Sequence, residues 1–167
     1  MPIELTTSYL ADSLTLYRQY KNMGERAMAQ VADDRLNYLV DPESNSIAFI
    51  VKHLAGNMRS RWTDFLTTDG EKPDRDRDSE FERPPASRAE LVRIWESGWD
   101  PLFHTLGTLT DADLARTVKI RGEAHTVLQA INRNLTHCAY HVGQIVFLAK
   151  HFQSDRWQTL SMPKRRA

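Results

Sequence analysis

The sequence contains only one cysteine, Cys138, which excludes an internal disulfide and any metal site built from cysteine pairs. A bound metal would therefore need histidines and carboxylates as ligands. No apolar run approaches the roughly 18 residues that a membrane-spanning helix requires. The start, MPIELTTSYLADS, also lacks the basic-then-apolar pattern of a secretory signal. These absences predict a cytoplasmic protein with no membrane partner.

The chain also lacks an excess of charge of either sign. Its 22 lysines and arginines balance its 22 aspartates and glutamates. Because binding to DNA or RNA depends on many basic side chains that contact phosphates, no nucleic acid partner is expected. With 167 residues, 41% of them hydrophobic, the sequence fits one ordinary domain spanning residues 1–167.

Apolar residues recur at intervals of three and four in four segments, and this spacing predicts four amphipathic helices. Helix one covers about residues 2–32. Helix two follows DPESNS (residues 41–46) and ends near Thr67. Helix three begins at the capping box SRAE, whose first residue is Ser87, and helix four extends from a second capping box at Thr126 to about His151.

The expected fold is all-α, a four-helix bundle. The long segment TDGEKPDRDRDSEFERPPA (residues 68–86) joins helices two and three and permits a crossover in place of simple up-and-down order. The segment RTVKIRGEAHTV (residues 116–127) predicts a small β-hairpin or an extended crossover before helix four. Pro101 is expected to kink or split helix three. Three tryptophans at helical spacing are expected in the core or an interface: Trp62, Trp95 and Trp99.

Two histidines, His137 and His141, lie four residues apart in the very hydrophobic segment NLTHCAYHVGQIVFLAK (residues 134–150). Side chains at this spacing share one helix face and can converge on one point. A metal held by both would satisfy them, since a buried imidazole needs a partner. The alternative is that one histidine bonds a backbone carbonyl and the other reaches solvent. A third candidate ligand is His53 in helix two, with Gly56 nearby to permit a close approach.

Other polar residues receive weaker assignments. Asn57 and Gln144 could orient a ligand or contact substrate, although an exposed helical amide would explain either. His104, His125 and His151 are spare ligand candidates, and Cys138 is expected to be a small buried hydrophobe. Arg61 and Asp64 are expected on a solvated face.

The segment between helices two and three mixes seven acids with four bases: Asp69, Glu71, Asp74, Asp76, Asp78, Glu80 and Glu82 with Lys72, Arg75, Arg77 and Arg83. A surface loop with internal ion pairs is the expected account. In the alternative, residues 69–83 cover the metal site, and Arg75 or Arg77 binds an anionic group of a substrate.

Two stretches together, VKHLAGNMRSRWTDFL (residues 51–66) and NRNLTHCAYHVGQIVFLAK (residues 132–150), resemble the DinB-like, or YfiT-like, superfamily of metal-binding four-helix bundles. The intervening TTDGEKPDRDRDSEFE resembles one uncharacterised bacterial branch of it. The resemblance implies an up-down-down-up bundle in which His53, His137 and His141 bind a divalent metal, with zinc or nickel favoured and water completing the ligand set.

Characterised relatives in that superfamily include transferases and isomerases that use low-molecular-weight thiols such as bacillithiol or mycothiol. Three histidines would leave the metal an open position, where a thiol would lose its proton and become a nucleophile. A water at the same position would give hydrolysis instead. The leading hypothesis is a divalent-metal-binding four-helix-bundle protein. Thiol transfer to a small-molecule substrate and hydrolysis are the candidate activities, and the sequence does not choose between them. The alternatives are a non-catalytic, metal-stabilised bundle that dimerises or binds a ligand, and a bundle whose histidines are only structural. A homodimer suits either metal-binding hypothesis.

Overall fold

The computed structural model describes residues 8–162, which are mostly helical. They form five α-helices: α1 (Tyr9–Gln30), α2 (Asp33–Leu36), α3 (Ile47–Trp62), α4 (Arg88–Thr108) and α5 (Val127–Gln153). Two strands, β1 (Thr117–Ile120) and β2 (Glu123–Thr126), pair antiparallel as the predicted hairpin. Three short 3-10 helices lie at Asp78–Phe81, Asp111–Ala115 and Ser154–Arg156. No helix within residues 8–162 is long and apolar enough to cross a membrane.

The long helices begin at residues whose side chains cap them. Ser46, Ser87 and Thr126 each accept a backbone N–H at the start of α3, α4 and α5, and the capping box at Thr126 is complete. The helix starts predicted from these residues are confirmed. Ser8 caps α1, and the part of predicted helix one that precedes it lies outside the described residues.

The predicted end of helix two is wrong, and of the two outcomes predicted at Pro101, a kink or a split, the split does not occur. Helix α3 ends at Trp62, not near Thr67, because the chain turns through Asp64 at a φ of 48° and leaves the helical path. Helix α4 continues through Pro101 without splitting. The fixed φ of proline suits a helix, and Trp99 and Leu102 on either side are buried in the core.

The core forms where the long helices pack in pairs. Helix α3 lies mainly against α4 and α1 mainly against α5, with further contacts between α3 and α5 and between α1 and α4. Gly98 permits the close approach of α4, since a Cβ there would lie 2.6 Å from the Cα of Ala55 in α3. Trp62, Trp95 and Trp99 are buried in this core as predicted.

The long connection between α3 and α4, residues 68–86, is named here the charged segment, and it is attached at both ends. Near its start, the Asp69 carboxylate accepts the backbone N–H groups of Arg121 and Gly122 at 2.8 and 2.7 Å. Near its end, the Lys52 ammonium group of α3 donates to the backbone carbonyls of Ser79 and Arg83 at 2.7 and 3.1 Å. These attachments hold the middle of the segment against α3.

Candidate metal centre

Helices α3 and α5 bring three histidine side chains together. The Nε2 atom of His137 lies 3.2 Å from Nε2 of His53 and 3.1 Å from Nε2 of His141. The three candidate ligand atoms all lie within 4.8 Å of one another. His53 is buried and the other two are half-buried. The two predicted ligands of α5 and the predicted ligand of α3 therefore share one point between the helices.

A buried carboxylate fixes the orientation of His53. The Nδ1 atom of His53 lies 2.9 Å from Oε2 of Glu80, and an ionised carboxylate only accepts, so Nδ1 carries a proton and Nε2 faces His137. Arg75 donates to both oxygens of the same carboxylate, at 2.8 and 3.0 Å. Although burial raises the pKa of Glu80, hydrogen bonds from His53 and Arg75 lower it below its ordinary value. Glu80 therefore stays ionised at neutral pH.

The absence of a side chain at Gly56 makes room for Glu80. Gly56 lies in α3, about one helical turn after His53 in the sequence. A Cβ there would lie 2.0 Å from Oε1 of Glu80. That distance is far shorter than any contact between non-bonded atoms. The close approach expected at Gly56 is therefore made by the charged segment.

An amide plays the corresponding part for His141. Its Nδ1 lies 2.7 Å from Oε1 of Gln144, whose Nε2 in turn donates to the Tyr140 hydroxyl at 3.1 Å. Nδ1 of His141 thus donates to Gln144, and Nε2 of His141 presents a lone pair. Gln144 therefore contacts a candidate ligand.

His137 stands between the other two imidazoles without a partner on its far side. Its Nδ1 is fully buried and has no hydrogen-bond partner within residues 8–162. A proton on Nε2 of His137 can form a hydrogen bond with only one of the two neighbouring atoms, Nε2 of His53 or Nε2 of His141. Burial first, and then the nearby His141 and His53, lower the pKa of His137 to about 3. Burial likewise lowers the pKa of His141 to about 4 despite its hydrogen bond to Gln144. Both rings are neutral at pH 7, the form that binds metals.

The geometry and donor chemistry fit a divalent transition metal. Two nitrogens about 2.0–2.1 Å from one zinc ion, at angles of about 90–110°, lie about 2.8–3.4 Å apart. The Nε2 atom of His137 lies 3.2 Å from that of His53 and 3.1 Å from that of His141, and both separations fall in that range. A carboxylate or amide oxygen behind a ligating histidine is the usual second contact in such sites. A shared cation would also remove the repulsion between converging lone pairs.

The remaining candidates form no hydrogen bond to these three histidines within residues 8–162. The Oδ1 atom of Asn57 accepts from the side-chain amide of Asn134 at 3.3 Å. His104 and His151 are exposed on their helices, and His125 hydrogen bonds the Glu123 carbonyl at 3.1 Å in the hairpin. Cys138 is buried as predicted, and burial raises the pKa of its thiol to about 12.

The contacts of Glu80 and Arg61 were not predicted from the sequence. The charged segment has the expected internal ion pairs, between Arg75 and both Glu71 and Glu80. It also reaches the histidines through Glu80, which the surface-loop account did not include. The signal in the sequence is Gly56, which leaves an opening beside His53. Arg61, expected on a solvated face, is 5% exposed, and its Nε donates to the Gly70 carbonyl at 3.3 Å.

A cavity of about 450 Å³ opens onto His53 and His137. We name it the arginine cavity, because five arginines line it: Arg61, Arg75, Arg77, Arg121 and Arg133. Helices α3 and α5 form its walls, and the charged segment and the turn of the hairpin close it. The cavity gives a small molecule access to the histidines.

Comparisons with known proteins identify a family but no activity. The sequence profile of one family, described as protein of unknown function (DUF1572), matches residues 4–166, nearly the whole chain. The comparison with curated proteins gives no match.

Proposed function

Because the chain belongs to the DUF1572 family, a family of unknown function, we propose its function from its own histidine centre. It is a divalent-metal-binding protein of the DinB-like superfamily, in which His53, His137 and His141 hold zinc or nickel. The observation that carries this proposal is the convergence of one ring nitrogen from each of three histidines within 4.8 Å between α3 and α5. The pairing of the four long helices supports the proposed four-helix bundle, in up-down-down-up order, for which the same superfamily resemblance argues.

The chain's own residues prepare the centre for a metal. Glu80 and Gln144 each hold a proton on the Nδ1 of one histidine, which leaves Nε2 free to bind. Burial keeps the rings of His137 and His141 neutral at neutral pH, the form that binds metals. The ligand set is pre-arranged, and its helices are held by the core.

We further propose that the protein is a metal-dependent transferase of low-molecular-weight thiols. A divalent metal bound by three histidines supplies Lewis acidity that lowers the pKa of a thiol or of water in its open position. The opening of the arginine cavity onto His53 and His137 supports an accessible site and not a closed structural one. The charged segment covers part of the centre, and burial of the imidazoles limits the entry of water. A homodimer is compatible with this proposal.

Metal binding is tested by titrating the chelator-treated full chain with Zn²⁺ and Ni²⁺ in competition with a chromophoric chelator. The wild type is expected to bind one equivalent. His53→Gln and His141→Gln should each weaken affinity more than about 100-fold, since loss of a ligand exceeds the effect of losing its outer contact. His125→Gln, which changes a histidine outside the centre, is the matched control. Equal affinity in all four proteins would refute the three-histidine site.

Thiol transfer is tested separately with bacillithiol and an aryl chloride as electrophile. The sulfur forms a bond to carbon, the carbon–chlorine bond breaks, and the thiol proton passes to the buffer. We expect metal-loaded wild type to accelerate thioether formation and His53→Gln to lose the acceleration. Metal binding without acceleration, by this or other small thiols, would favour the non-catalytic alternative.

A further inference from the structure

The arginine cavity carries more positive charge than its acidic neighbours balance. Arg75 is paired with Glu71 and Glu80, and Arg121 is paired with Glu71 at 3.3 Å. The carboxylates of Glu71 and Glu80 therefore balance the charges of Arg75 and Arg121. The remaining three cavity arginines form no ion pair with any acidic residue within residues 8–162: Arg61, Arg77 and Arg133.

Arg61 is the least ordinary of these three. It lies on α3 two turns after His53, and its side chain is buried without a carboxylate partner. Burial first, and then repulsion from Arg133, lower the pKa of Arg61 to about 10, so the guanidinium remains charged at neutral pH. A buried cation without a counter-charge is costly, and the chain places it at a cavity wall where an anion could compensate it.

The arginines and the histidines share the same helix faces. On α3, His53, Asn57 and Arg61 recur at intervals of four and line the cavity. On α5, Arg133 and His137 do the same. A molecule held by the arginines therefore lies beside the imidazoles of His53 and His137.

We propose that the arginine cavity binds the carboxylate or phosphate group of a small organic anion whose other end reaches the three histidines. This inference deepens the proposed function, since it names the substrate class of the metal centre. Guanidinium groups match both kinds of oxyanion through paired N–H donors. A cavity of about 450 Å³ suits a small molecule. The arginines surround one cavity and do not form a stripe along the surface, and the chain has no net charge, which argues against a nucleic acid.

A larger neighbouring cavity provides a contrast. It has a volume of about 910 Å³ and shares Arg75 with the arginine cavity. Acids and bases alternate in its lining, including Asp64, Asp74 and Asp76. Mixed charge gives it no preference for an anion, so the proposal concerns the arginine cavity alone.

The test is calorimetric titration of the full-length protein, as purified, with inorganic phosphate and separately with malonate, in a buffer free of other multivalent anions. We compare the wild type with the double variant Arg77→Gln and Arg133→Gln. Both residues are exposed, and neither side chain has a hydrogen bond to the described residues, so the fold should persist. Arg93→Gln, an exposed arginine of α4 outside the cavity, is the matched control.

We expect one anion to bind per chain and the affinity for at least one probe to fall about tenfold or more in the double variant, with Arg93→Gln equal to wild type. Added sodium chloride should weaken binding in the wild type more than in the double variant. Absence of binding in the wild type, or equal affinity in all three proteins, would overturn the proposal. An equal loss in Arg93→Gln would also overturn it, since it would indicate only general charge attraction.

A second set of titrations separates this inference from the proposed function. After chelator treatment, the arginines remain while any metal is removed. Anion binding that persists there and depends on Arg77 and Arg133 supports the cavity even if the metal proposal fails. Normal zinc uptake with no anion binding in either state would overturn the inference and leave the metal centre unaffected.

Discussion

At the scale of single residues, the contact between Glu80 and His53 is the detail that distinguishes a prepared ligand from a merely buried histidine. Glu80→Gln keeps the shape of the side chain and removes its charge. The wild-type carboxylate fixes the His53 ring and raises its basicity, and the neutral amide loses both effects. We therefore expect zinc affinity to fall about 10–100-fold. Glu82→Gln, an exposed neighbour in the same segment, should leave the affinity unchanged. Equal affinity in both variants would show that Glu80 does not support the centre.

Gly56 tests the same contact without altering any charge or ligand. In Gly56→Ala the new Cβ would overlap Oε1 of Glu80, so the carboxylate must move away from His53. We expect zinc affinity to fall about tenfold or more, as in Glu80→Gln. Gly107→Ala in α4 is the control, since a Cβ there meets no atom within 4 Å. A Gly56→Ala protein with wild-type affinity would contradict the role given to Glu80.

The residues of the centre were predictable to different degrees. His137 and His141 follow from one helical spacing, and Gln144 lies one turn beyond, so local sequence was sufficient. Glu80 is 27 residues from His53 in a segment with seven acids, and nothing local marks it out. Arg61 was misplaced because it lies in the last turn of α3, where Gly70 returns to cover it. Such contacts depend on which segments, distant in the sequence, pack together in the folded chain.

At the scale of elements, Asp69 joins the charged segment to the β-hairpin and so positions Glu80. Hydrogen bonds from the backbone N–H groups of Glu71, Gly122 and Arg121 lower the pKa of Asp69 below its ordinary value. Because the folded-state pKa is lowered, the stabilisation is present above the ordinary aspartate pKa of about 4 and is lost as the pH falls below it.

Asp69→Asn removes this stabilisation at neutral pH. We expect a loss of about 1 kcal/mol in the free energy of unfolding at about pH 7, a value kept small because solvent screens the carboxylate. The difference from wild type should shrink below about pH 4. Urea unfolding of chelator-treated protein measures both. Asp74→Asn, exposed in the same segment, is the control. A difference that stays constant over this pH range would contradict the linkage.

The elements themselves were more predictable than their ends. Capping residues predicted the starts of α3, α4 and α5, and the Arg-Gly pair predicted the hairpin. In the structure Arg121 and Gly122 form its turn, with φ values of 55° and 78°. The end of α3 was misjudged because the apolar period continues into Phe65, a buried residue beyond the helix. Hydrophobic spacing alone does not distinguish a helix from a turn that also faces the core.

At the scale of the whole molecule, the metal would join α3 to α5 across the core. A ligand that binds only the folded chain raises the free energy of unfolding. We therefore expect added Zn²⁺ to raise the melting temperature of wild type by several degrees, for a stabilisation of about 2 kcal/mol or more. His53→Gln should show little change, whereas His125→Gln should behave as wild type. An equal shift in all three would indicate zinc binding at unrelated surface sites.

The most direct test of the metal centre is elemental analysis of protein purified without an affinity tag, comparing wild type with His53→Ala and His137→Ala. Circular dichroism and the unfolding midpoint establish that each variant is folded. We expect about one zinc or nickel ion per wild-type chain and a loss of that metal in both variants. Folded wild-type protein that contains no metal and takes up neither added Zn²⁺ nor added Ni²⁺ would contradict this expectation.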